Sequence, residues 1–217
     1  MAAATGEAVA ETAAAGTEPF AGCQKWPGRA LTLFQRKDFL DPETCAGLIE
    51  RIDAHRRPST VADSNGDPLW RTSETCDLDG KDPLVARVNA ALDALACQPA
   101  SHGEPLQGQR YAPGQEFRFH TDYFEPDGPD FERFCALAGK RSWTLMVYLN
   151  LPEAGGATRF RLIGKTIQPE PGKLLAWANL DCHGRPNYAT LHAGMKVYRG
   201  TKYIITKWYR ERPLRRG

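Results

Sequence analysis

In His120-Thr-Asp122 an imidazole and a carboxylate stand two positions apart, a pair able to bind a metal ion. If residues 117–124 form a strand, the period of two puts His120 and Asp122 on one face, close enough to share a metal ion. Phe117, Phe119 and Tyr123 then fall on the other face. An imidazole and a carboxylate fill two coordination positions, so a further ligand must come from elsewhere in the chain, and His192 is the best candidate. Two imidazoles and one carboxylate on one side of a metal leave the opposite positions open, the arrangement suited to non-haem Fe(II) activating oxygen. A solitary H-x-D triplet is more often an ordinary hydrogen-bonded pair, so the assignment needs independent support.

That support lies downstream of His192. After the Arg199-Gly200 turn, Lys202 enters a run with alternating apolar positions, which would project a cation into the same interior. A barrel interior is an expensive place for an unpaired ammonium, and a ligand carboxylate would be its natural partner.

These side chains need a scaffold. Asp41-Pro42 and Asp82-Pro83 each offer an N-cap followed by the residue type favoured at the first helical position. Cys45, Leu48, Ile49 and Ile52, then Leu84, Val85, Val88, Leu92 and Leu95, recur at helical spacing and predict two helices ahead of the central stretch. Strands are predicted over 30–34, 69–76, 143–150, 158–163, 174–178, 191–197 and 202–209, separated by turns such as Pro171-Gly172. The segment 124–140 reads as a loop with a short helix at 130–138. Helices first and many short strands after predict a mainly β, α+β domain: a barrel or sandwich flanked on one side by helices.

With 217 residues, 41% of them apolar, the chain can bury one core of the larger β-rich kind. Residues 1–20, Ala-rich up to about Thr17, are expected to be a disordered tail, and 21–217 a single domain. A net charge of +2 is too mild to point to nucleic acid or a membrane surface, and no run reaches the ~20 apolar residues of a membrane span. The start of the sequence lacks the pattern of a secretory signal, and six scattered cysteines without C-x-x-C spacing point to reduced thiols; a cytoplasmic protein is expected.

Several segments in order carry a resemblance. They are Arg110-Tyr-Ala-Pro-Gly-Gln with His120-Thr-Asp-Tyr-Phe124, Arg141-Ser-Trp-Thr-Leu-Met-Val-Tyr-Leu-Asn150, Gly155-Gly-Ala-Thr-Arg-Phe160, Pro169-Glu-Pro-Gly-Lys173, and His192-Ala-Gly with Gly200-Thr-Lys202 and Lys207-Trp208. Together they resemble the prolyl 4-hydroxylase-like branch of the 2-oxoglutarate and Fe(II)-dependent dioxygenases, closely over residues 104–210. Gly-Gly-Ala-Thr158 lacks the acidic residue often found before that threonine, and Met195-Lys-Val stands in place of a proline-containing turn; neither removes a catalytic group.

The resemblance implies a double-stranded β-helix (jelly roll, cupin-like) core with the N-terminal helices packed on the major sheet. It implies His120, Asp122 and His192 as iron ligands, Lys202 as the partner of the distal carboxylate of 2-oxoglutarate, and Tyr111 and Thr158 as hydrogen-bond partners of that carboxylate. Arg141, Trp208 and Arg71 match positions near the substrate groove. Fe(II), 2-oxoglutarate and O2 are the implied cofactors, with ascorbate as reductant. The implied reaction hydroxylates a prolyl residue of a peptide or protein while 2-oxoglutarate is decarboxylated to succinate and CO2. Its rivals are hydroxylation of a free amino acid or other small molecule with the same cofactors, and a metal-binding jelly roll without turnover.

Overall fold

Each Asp-Pro signal opens a helix. The Asp41 carboxylate accepts a hydrogen bond from the Thr44 amide at 2.7 Å and α1 spans Pro42–His55; Asp82 accepts from the Leu84 and Val85 amides and α2 spans Pro83–Ala96. The computed structural model describes residues 18–59, 69–128 and 130–214. The expected tail up to residue 17 lies outside them, as do 60–68 and the last three residues. Phe20, the end of the tail drawn from composition, is already in the core: it stacks on Phe34 at 4.7 Å and meets Trp143 at 4.5 Å. One buried aromatic outweighs the alanines before it.

In the first half the strands are β1 (Gln24–Lys25), β2 (Leu33–Arg36), β3 (Arg57–Pro58), β4 (Glu74–Asp77), β5 (Gln107–Tyr111) and β6 (Phe117–His120). A short helix, α3 (Phe131–Cys135), precedes β7 (Arg141–Tyr148), β8 (Ala154–Gly155), β9 (Thr158–Phe160), β10 (Lys165–Ile167) and β11 (Leu174–Ala178). The last three are β12 (His192–Gly194), β13 (Val197–Arg199) and β14 (Lys202–Arg210). The strand predicted over 69–76 shrinks to β4, and the one over 191–197 breaks into β12 and β13. Periodicity passes over β5 and β10, which are short and rich in polar residues.

The strands form an eight-stranded sheet ordered β1-β2-β11-β7-β14-β5-β4-β3 and a four-stranded sheet ordered β10-β9-β12-β6, with β8 and β13 paired separately. This is the expected jelly roll, with antiparallel pairs throughout the two main sheets. Alternation sorts the major sheet into two buried faces. Leu145, Val147, Leu174, Ala176, Tyr203, Ile205 and Tyr209 pack with Leu48, Ile52, Val88 and Leu92 of α1 and α2. Met146, Tyr148, Leu175, Trp177 and Ile204 turn inward to meet Phe160, Ile167 and Tyr111. The helix comes close enough that a Cβ at Gly108 would lie 2.4 Å from Ile52 Cγ1, so β5 needs glycine there.

Candidate metal centre and its cavity

The edge of the four-stranded sheet, where β12 pairs with β6, brings His120, Asp122 and His192 together. Antiparallel pairing of β12 with β6 sets His192 directly opposite His120. Asp122 follows two residues beyond the end of β6. One potential ligand atom from each lies within 4.8 Å of the others, close enough to be reached by a single ion. Both imidazoles are oriented from behind: His120 Nδ1 is 2.7 Å from the Arg118 carbonyl and His192 Nδ1 is 2.8 Å from the Thr190 carbonyl. With Nδ1–H donating to a carbonyl, Nε2 is the free ligand atom on each ring. Burial, then the neighbouring His192, lowers the His120 pKa to about 3, keeping it in the neutral form that binds metal. Burial raises the Asp122 pKa, but His192, His120, Arg141 and Thr144 more than offset this and hold the carboxyl below its ordinary range. Two neutral imidazoles and one carboxylate fit a divalent iron with open positions.

The pairing of His192 with His120 and of Gly194 with Phe117 gives β6 one residue more than β12 over the same span, a β-bulge. The bulge corrects the expectation for Phe117. Strict alternation puts it opposite His120, whereas the extra residue brings the two rings onto one side, stacked with centroids 3.4 Å apart and 11° between planes. Phe117 therefore walls the cavity.

A small cleft opens over the ligand triad. It is lined by Tyr111, Thr158, Lys202, Arg71 and Trp208 among others, so five of the six further residues singled out in the sequence meet there. Lys202 is 1% exposed; its ammonium lies over the Tyr111 and Tyr148 rings at 5.1 and 5.5 Å, and among the described residues it has no carboxylate partner. Burial lowers its pKa to about 7. Thr158 Oγ1 accepts from the Tyr148 hydroxyl at 2.6 Å. The Arg71 guanidinium lies over Phe117 at 4.9 Å and donates to Ser73 and Thr75.

Arg141 is the exception. Its guanidinium is engaged by Glu104 through two hydrogen bonds of 2.7 and 2.8 Å, lies over Trp208 at 4.1 Å, and donates to the Asp122 carbonyl at 3.3 Å. It sits behind Trp208 and Asp122, which line the cleft. Arg210 grips the same Glu104 and reaches the Phe134 and Gly139 carbonyls, so this buried node ties the 124–140 segment to β7 and β14. Sequence reasoning missed Glu104, which nothing local distinguishes from a surface carboxylate. It also missed Thr144, whose hydroxyl donates to Asp122 Oδ2 at 2.7 Å; the signal was a threonine inside the apolar run 143–149.

Comparison with known proteins agrees with this geometry. The model of the 2OG-Fe(II) oxygenase superfamily matches residues 106–210. The chain is 30% identical over 207 residues to a probable prolyl 4-hydroxylase 3 of Arabidopsis thaliana, covering 84% of this chain and 69% of that one. It is 35% identical over 144 residues, 66% of this chain, to the prolyl 4-hydroxylase subunit alpha-1 of Rattus norvegicus, of which it spans 27%. Among solved structures it resembles the collagen prolyl hydroxylase of Paramecium Bursaria Chlorella virus-1 in its 2OG complex, with a TM-score of 0.62 and 27% identity over 82% of this chain and 95% of the other.

Proposed function

The chain belongs to the 2OG-Fe(II) oxygenase superfamily, in its prolyl 4-hydroxylase-like branch, and we propose that it hydroxylates a prolyl residue of a peptide or protein, coupled to decarboxylation of 2-oxoglutarate to succinate and CO2. The observation that carries this reading is the placement of buried Lys202 in the same cleft as His120, Asp122 and His192. A metal-binding module without turnover has no use for a buried cation beside its metal. An enzyme that must bind a dicarboxylate does.

Iron held by the triad, with 2-oxoglutarate and O2, supplies the oxidising power for hydroxylation. The chain contributes position and charge. Lys202 pairs with the distal carboxylate of 2-oxoglutarate, and Arg71 adds a second cation to the cleft wall. Because Thr158 Oγ1 already accepts from Tyr148, its own proton is available to donate to that carboxylate, as is the hydroxyl of Tyr111. Trp177 and Phe160 close on His192 edge-on and tilted at 4.9 and 5.4 Å, shielding it from water.

Substrate choice is supported by the kinship with prolyl 4-hydroxylases. A cytoplasmic setting is part of the proposal: the described residues include all six cysteines, and no disulfide joins any two of them. The test is succinate release by purified protein with Fe(II), ascorbate and 2-oxoglutarate, with and without proline-containing peptides. Stimulation by peptide and a gain of one oxygen on proline is the expected result. Stimulation by free amino acids alone would move the substrate to a small molecule, and no succinate under any condition would favour the non-catalytic module.

A further inference from the structure

Asp122 is fixed at both ends. Its carbonyl accepts from Arg141, and its carboxylate is split between two tasks. Oδ2 takes the Thr144 hydroxyl proton at 2.7 Å, while Oδ1 is the oxygen 3.8 Å from His120 Nε2. An ionised carboxylate only accepts, so the single hydroxyl proton of Thr144 is committed to Asp122 and its oxygen is left open to a donor. Asn179, one residue past the end of β11, fills that place, its Nδ2 donating to Thr144 Oγ1 at 2.8 Å. The reversed amide would set two acceptors against one proton, so the orientation follows from the carboxylate.

Packing alone would not require either side chain to be polar. Thr144 and Asn179 are both 0% exposed, and Asn179 Oδ1 has no hydrogen-bond partner among the described residues. An apolar side chain would avoid the cost of a half-satisfied buried amide. The backbone holds the pair rigidly: Asn179 N donates to the Ser142 carbonyl at 2.8 Å and its own carbonyl accepts from Asn187 at 2.9 Å.

We infer that Asn179 and Thr144 form a positioning relay for the metal-binding carboxylate, with Asn179 fixing the Thr144 hydroxyl and Thr144 occupying Oδ2, so that Asp122 offers the metal Oδ1 alone. A carboxylate binding through both oxygens would take an extra coordination position, leaving fewer for co-substrate and oxygen. The relay makes the carboxylate a single-oxygen ligand. It rests on the reading of His120, Asp122 and His192 as a metal site.

The experiment titrates metal-free protein with Co(II) and follows its visible absorption, with His192→Ala as the reference for a broken site. Thr144→Val, which keeps the shape and removes the proton, weakens Co(II) binding about 10–100-fold, the usual consequence of losing such a partner. Thr144→Ser restores it. Asn179→Ala weakens binding less, and the double variant Thr144→Val/Asn179→Ala is no weaker than Thr144→Val alone, since Asn179 acts only through Thr144. Wild-type affinity in a folded Thr144→Val protein overturns the inference, as do a Ser variant as weak as Val and additive losses in the double variant. Should Thr144→Val fail to fold, Asn179→Ala decides, unchanged affinity counting against the relay. If wild type itself binds no better than His192→Ala, the metal-site reading has failed and not the relay alone.

Discussion

β14 carries two buried lysines on opposite faces, and their surroundings differ. Lys207 points to the helix side, where its ammonium donates to Asn89 Oδ1 at 2.8 Å; a Cβ at Gly103 would lie 2.5 Å from its Cε, so the neighbouring backbone has made room for it. Lys202 points into the cleft, where it finds two aromatic faces and no anion among the described residues. Both are less than 5% exposed. Burial therefore does not mark a functional charge. What distinguishes the two is whether the fold itself supplies the partner: Lys207 is answered from within and Lys202 is not, which under the proposed function leaves it for the co-substrate.

The largest expected effect is on the cleft side. His192→Ala or His120→Ala removes a ligand of the triad, and succinate release falls to that of the metal-free blank; wild-type turnover in either variant would break the site assignment. Next, Lys202→Ala raises the dissociation constant for 2-oxoglutarate by ~10–100-fold, the loss of a charge-assisted contact, with Co(II) affinity unchanged. Calorimetric titration of the anaerobic, metal-loaded protein measures it, and an unaltered constant would erase the distinction between the two lysines.

A third prediction uses pH. Burial lowers the Lys202 pKa to about 7 from an ordinary 10.5. Between these values the unfolded chain binds a proton on this lysine that the ligand-free folded chain does not, so Lys202 lets stability rise with pH across that window, and its cost is complete below about 7. Pairing with 2-oxoglutarate requires the ammonium, so above pH 7 binding takes up a proton and the dissociation constant climbs by up to ~10-fold per pH unit. Lys202→Ala flattens that climb; a slope equal to wild type's would assign the titration elsewhere.

The smallest effect lies on the helix side. Lys207→Met strands the Asn89 side-chain oxygen and lowers unfolding stability by ~1–3 kcal/mol, read from urea denaturation, while 2-oxoglutarate affinity stays put. Lys202→Met, which removes an unanswered charge, leaves stability equal or higher. The reverse pattern would show the partnered lysine to be the functional one.

The local features are legible in the amino-acid order: the Asp-Pro helix starts, most strands, the ligand types at His120, Asp122 and His192, and a lysine on the inward register of β14. Each is written in residue chemistry and short-range period, which need no partner to be read. Only the packed fold settles that a bulge in β6 turns Phe117 onto His120, that Glu104 holds Arg141 behind the cleft wall, that Phe20 belongs to the core, and that Thr144 and Asn179 meet behind Asp122. Register and burial across long sequence separations are set by which faces the packed sheets and helices bring together, and no local pattern encodes that choice.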